Sequence, residues 1–115
     1  MSIARHDQTA ILSQAVEHGN TVYLAGIVAK DLKKDVKGQT QEILADIDRL
    51  LAKCGSNKSK ILTATIWVTD IRNRAPMNEV WTAWVDKANL PARACVEAAL
   101  ADPAALVEIM VVAAK

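Results

Sequence analysis

Two segments of this chain, 21–29 and 106–113, are apolar at nearly every position. With a side-chain period of two, such runs place apolar groups on both sides of a β-strand, so each strand requires cover above and below. The rest of the chain offers only two helical stripes to supply that cover. In 39–54, Ile43, Leu44, Ile47, Leu50 and Leu51 recur at helical spacing, while Gln41, Glu42, Asp46, Asp48, Arg49 and Lys53 take the wet side. Gly55 follows as a left-handed stop. Pro76, favoured in a first helical turn, opens a second helix to about Asp86, striped by Met77, Val80, Trp81 and Trp84. Two helices shield one face of one sheet. The other face calls for a second copy of the chain, and an obligate oligomer is the expectation.

The remaining segments complete the sheet. Segments 13–17 and 21–29 flank His18-Gly19-Asn20 and read as a hairpin. Residues 61–69 alternate Leu62, Ala64, Ile66 and Val68 against Thr63, Thr65 and Trp67, and 92–98 and 106–113 are strand-like. The order is ββ-α-β-α-ββ, an α+β domain occupying 1–115 as one unit. Formal net charge is +1, and the one dense charge run, between Lys30 and Lys37, mixes both signs. Neither feature makes a case for nucleic acid or an anionic membrane. The first residues lack the apolar core of a signal peptide, and no segment is long and apolar enough to span a bilayer, so a cytoplasmic setting is expected. Cys54 and Cys95 fit a reduced compartment. They lack metal-ligand spacing and do not cluster in sequence with His6 or His18, so no metal site is expected.

Few residues can carry chemistry. In Pro91-Ala92-Arg93-Ala94-Cys95-Val96-Glu97, alternation puts Arg93, Cys95 and Glu97 on one strand face. An Arg in an apolar strand either pairs with a carboxylate or offers its guanidinium fork to a substrate carboxylate. Glu108 is the single charged residue between Pro103 and Lys115 and shares its face with Leu106 and Met110. It either neutralises Arg93 or handles protons. Cys95 reads as a small buried hydrophobe or a nucleophile, Cys54 as packing or surface, and Asn78 as a cap or a solvated residue. The tryptophans read as core and interface anchors. No serine sits in a nucleophile motif, and the four glycines form neither GxGxxG nor a P-loop.

In order along the chain, Ser13-Gln14-Ala15-Val16, Gly19 to Gly26, Gln39-Thr40, Trp67-Val68-Thr69-Asp70, Met77-Asn78, the Pro91 to Glu97 run and Val107-Glu108-Ile109 together resemble the RidA (YjgF/YER057c/UK114) family. That resemblance implies a chorismate-mutase-like (Bacillus type) fold, a homotrimer with intersubunit clefts, and a deaminase that hydrolyses enamines and imines to 2-oxo acids and ammonia. The imino acids would arise from amino-acid oxidation or pyridoxal-phosphate enzymes, as reactive intermediates to be removed. It implies that Arg93 holds the substrate carboxylate with help from the backbone at Cys95, and that Glu108 orients or deprotonates water. Asn78, Leu12 and Ala25 are counted with the pocket. No metal or cofactor is needed, and the partners are the small acid and copies of the chain itself. The chain departs from the best-known branch: Leu12 stands where a Tyr is usual, Ala25 where a Ser is, and Ile27 where a Gln is. The pocket should be more apolar, with a shifted substrate range. The alternative implied by those losses is a non-catalytic small-carboxylate-binding or chaperone-like module.

Overall fold

The computed structural model describes residues 2–115. Among them, six strands form one mixed sheet: β1 (Ile3–Gln8), β2 (Ser13–His18), β3 (Thr21–Leu24), β4 (Ile61–Val68), β5 (Ala92–Glu97) and β6 (Val107–Ala114), in the spatial order β1-β2-β3-β6-β4-β5. Helices α1 (Val36–Lys53) and α2 (Arg74–Trp84) lie on one face. All neighbouring strands run antiparallel except β4 and β5, whose parallel pairing uses α2 as its crossover.

Helix α1 starts a turn before its apolar stripe because Asp35 caps it, accepting the Gly38 N–H at 2.8 Å. It ends at Cys54, whose N–H donates to the Leu50 and Leu51 carbonyls, and Gly55 leaves the helix at φ +75° as expected. Ile43, Leu44, Ile47, Leu50 and Leu51 are buried with Val22, Leu24, Ile66, Val107, Ile109 and Val111 of the sheet. Gln39, also fully buried, donates to the carbonyls of Leu32, Lys34 and Ala104 and accepts the Leu106 N–H, which bolts α1 to two loops with every polar atom satisfied.

Three expectations require correction. Strand β1 was not anticipated: Ile-Ala-Arg-His-Asp-Gln has no alternation, because an edge strand half in solvent needs none. It is held instead by polar ties, Asp7 binding Arg49 (3.0 Å) and Lys53 of α1. Strand β3 stops at Leu24 instead of running to residue 29. The Ala25 N–H turns back to the Gln14 carbonyl, and pairing with β6 resumes only as an isolated bridge between Ile27 and Ile109. Finally, Cys54 and His6, far apart in sequence, are neighbours in space: β1 pairs with β2 and crosses the end of α1, which brings His6, Glu17 and Cys54 together.

The helix-free face agrees with the strand alternation. Tyr23 (46% exposed), Val96 (45%) and Met110 (37%) lie there with half-buried Val16, Trp67 and Val112. Nothing among the described residues covers these groups.

Candidate functional site

Strand β5 pairs in register with β4, Arg93 beside Ala64, Cys95 beside Ile66 and Glu97 beside Val68. Those β4 residues are buried under the helices, so Arg93 and Cys95 belong to the helix-covered face, at the open edge of the sheet. There the guanidinium meets α2. Its Nη1 donates to Asn78 Oδ1 at 2.7 Å, and its carbon sits 5.4 Å from the centre of the Trp81 ring. Asn78 is therefore not a cap: half-buried on α2, it accepts the guanidinium N–H and orients the arginine. Trp81, read from sequence as part of an apolar stripe, serves as the platform beneath it.

Arg93 has no carboxylate partner among the described residues. Glu97, on the same strand face, accepts the Ile71 N–H at 2.8 Å instead. Burial, with a smaller push from the Arg74 charge and against a pull from Cys95, holds the Arg93 guanidinium below the ordinary arginine value, and no carboxylate offsets the lost hydration. The side chain borders a hollow of about 370 Å³ lined also by Asn78, Trp81, Val85 and Leu90. Cys95 is a free, half-buried thiol packed against the core two residues along the same face.

Glu108 lies elsewhere. In β6 it registers with Trp67, opposite in direction to the buried Val107 and Ile109, and so belongs to the helix-free face. Its half-buried carboxylate rests against Gly26, where an added Cβ would overlap its oxygen. This explains a glycine whose need was not visible in the sequence. Ala25 adjoins Gly26 and is tied to Gln14, two residues from Leu12, which is 41% exposed in the turn before β2. The predicted residues thus fall into two sets. Arg93, Asn78 and Cys95 share one face, and Leu12, Ala25 and Glu108 lie about the other. One chain does not bring the sets together, and of the two alternatives for Glu108, neutralising Arg93 does not occur within the chain, because the sheet separates them.

The sequence matches the family described as endoribonuclease L-PSP over residues 3–115. It is 46% identical over 114 residues to the RutC family protein YoaB of Escherichia coli K12, with 99% of each chain covered. A RutC family protein of Haemophilus influenzae is also 46% identical over 114 residues, covering 98% of each. Among solved structures, a YjgF family member from Neisseria meningitidis superposes with a TM-score of 0.97 at 43% identity, covering 100% of this chain and 96% of that one. A YjgF/YER057c/UK114 family member from Mycobacterium tuberculosis superposes at 0.90 with 28% identity, covering 99% and 100%. With the Arg93 run, Glu108 and the two-helix mixed sheet all in place, this chain belongs to the YjgF/RutC/Rid family.

Proposed function

We propose that this protein hydrolyses 2-imino acids to 2-oxo acids and ammonia, in crevices formed where copies of the chain meet as a homotrimer. The observation that carries the reading is the Arg93 guanidinium: half-buried, aimed by Asn78, seated on Trp81, and without an anion of its own. A desolvated guanidinium of this kind binds a carboxylate through two parallel hydrogen bonds, a geometry that lysine does not offer. The uncovered apolar face, which carries Glu108, supports the assembly, because a neighbour seated there removes Tyr23, Val96 and Met110 from water.

In such a crevice the substrate carboxylate docks on Arg93 of one copy, and its imine carbon faces Glu108 of another. As the water oxygen bonds to that carbon, Glu108 accepts its proton. Glu108 returns that proton to the nitrogen, giving the carbinolamine, whose hydroxyl proton then passes by way of the same carboxylate to nitrogen as the C=O bond forms and the C–N bond breaks, releasing ammonia. Positioning one acid and one water is sufficient acceleration for a reaction that proceeds unaided in water. Leu12 and Ala25 give the crevice aliphatic walls and favour imines with apolar side chains over small polar ones. A formal charge of +1 gives an RNA backbone little to bind, which sets RNA cleavage below imine hydrolysis.

The test is ammonia release from a panel of imines generated by an amino-acid oxidase. Wild type accelerates release, and Arg93→Ala returns it to the rate without protein while the oligomer persists. An unchanged rate in Arg93→Ala sinks the assignment. Binding of 2-oxo acids by wild type with no acceleration of release establishes the alternative, a carboxylate-binding or chaperone-like module, for which the missing hydroxyls at positions 12 and 25 argue.

A further inference from the structure

At the opposite edge of the sheet from Arg93, one ring nitrogen of His6, one carboxylate oxygen of Glu17 and the Cys54 sulfur all lie within 4.8 Å of one another. We propose that these three side chains form a binding site for a zinc-class divalent cation, separate from the imine site and serving to clamp β1 onto the end of α1.

The donor set is the first argument. Thiolate and imidazole select borderline-soft ions over calcium or magnesium, and one carboxylate beside them is a recurrent third ligand of zinc. Cys54 and Glu17 each contribute one negative charge and His6 none, so an ion of charge +2 is neutralised in place. A tetrahedral ion with bonds of roughly 2.0–2.3 Å spaces its donors roughly 3.3–3.8 Å apart. His6 and Glu17 are 2.5 Å apart and need only open around the ion, while the thiol, no more than 4.8 Å from either, closes by at most about 1.5 Å. The fourth position falls to water.

The second argument is preorganisation, since the three donors sit on three tethered elements. Cys54 is 2% exposed at the end of α1, its backbone fixed by hydrogen bonds to Leu50 and Leu51 and its helix ended by Gly55. Next to His6, Asp7 takes a left-handed backbone (φ +51°) and is held by Arg49 and Lys53 in the last two turns of α1. Glu17 lies on β2 in the same sheet, two residues from fully buried Ala15, whose register partner is His6. Cys54 is buried, and that burial, with the Glu17 charge, pushes its thiol up and disfavours a bare thiolate. Binding an ion lets it lose its proton without leaving a bare charge behind. Among the described residues the competing cation is Lys115, whose ammonium lies 2.5 Å from Glu17 Oε1 and whose side chain is 36% exposed.

The experiment is titration of metal-free protein with Zn²⁺ against a chromophoric chelator, and with Co²⁺ followed by absorption. One ion per chain is expected, with a thiolate-to-cobalt charge-transfer band. Cys54→Ser abolishes the band, His6→Gln and Glu17→Gln weaken binding by at least about tenfold, and Cys95→Ala changes neither. Lys115→Ala, free of the competing ammonium, binds more tightly. Zinc raises the thermal midpoint of wild type but not of His6→Gln, which preserves the core and so reads the site even where Cys54 variants fold poorly. Absence of the charge-transfer band, its survival in Cys54→Ser, or equal zinc uptake by wild type and His6→Gln overturns the site. None of these readouts depends on imine hydrolysis.

Discussion

The two faces of the sheet differ in what they leave unfinished. Beneath the helices, Leu50, Ile66, Val107 and Ile109 are fully buried, and the carboxylates around them are already engaged: Asp7 with Arg49 and Lys53, Glu42 with Lys34, Glu97 with the Ile71 N–H. On the far face, Tyr23, Val96 and Met110 stand in solvent, and Glu108 has neither a cation nor a hydrogen-bond donor beside it among the described residues. The helix side has one exception, Arg93 at the sheet's open edge, a guanidinium that burial depresses and that has no carboxylate partner among the described residues. Arg93 and Glu108, both without an ionic partner among the described residues, are divided by the sheet, so the proposed reaction requires a second copy to bring them to one substrate.

The largest expected effect follows from that division. Arg93→Ala and Glu108→Gln chains, each inactive alone, should regain imine hydrolysis when unfolded together and co-refolded. Random assortment leaves roughly a quarter of intersubunit sites with both residues intact. Ammonia release rising from background toward that fraction supports a shared site. No recovery, in a mixture shown to contain hybrid oligomers, would place both residues' roles within one chain and break the comparison.

A second effect separates the faces by stability. Leu50→Ala, under the helices, should cost about 2–5 kcal/mol in denaturant unfolding, the usual range for a fully buried leucine. Met110→Lys, on the far face, should leave the chain folded by circular dichroism but shift sedimentation to the monomer. If Met110→Lys sediments as wild type does, the helix-free face is not where copies meet.

How much of this was legible in the sequence depended on the range of the signal. Helix α1 and the facing of each strand were readable because periods of 3.6 and 2 act locally: Arg93 with Cys95, and Glu108 with Met110, fell as the alternation required. The relation between strands was not readable. Parity within β5 and within β6 says nothing of which face they share, so Glu108 was a natural partner for Arg93 until register through β4 placed them on opposite sides. Strand β1 was missed because its ties are side chains from distant segments, and for the same reason His6 and Cys54 looked unrelated. Gly26 carried no conformational signature; its reason is the Glu108 carboxylate packed against it.

That packing sets the third effect. Gly26→Ala forces the end of a flexible side chain aside, so the fold should lose less than about 1 kcal/mol. A displaced carboxylate is less well placed to take the water proton, and kcat should fall by about 10- to 100-fold, at or below the lower end of the roughly 100- to 10,000-fold that general acid–base catalysis supplies in full. KM, set chiefly by Arg93, should change little. A kcat equal to wild type in Gly26→Ala would mean that the position of Glu108 is unimportant to turnover.

The smallest effect tests whether the engaged carboxylates of the helix side do what the free one does not. Glu42 bonds Lys34 and accepts the N–H groups of Lys30 and Asp31, at 2.8 and 3.1 Å, which anchors the segment between Ala29 and α1. The Lys34 ammonium, followed by those backbone bonds, holds its carboxyl below the ordinary glutamate value of 4.5. A depressed carboxyl contributes stability that is present above that value and is lost as pH falls through its own lower one. Amide exchange at Lys30 and Asp31, corrected for intrinsic rates, should therefore stay slow and flat above pH 4.5 and quicken as acid protonates Glu42. Glu42→Gln should show the faster exchange at every pH and no acid-linked step. An identical step in Glu42→Gln would assign the acid sensitivity of this loop to another group, and would remove Glu42 from the contrast between partnered and waiting carboxylates.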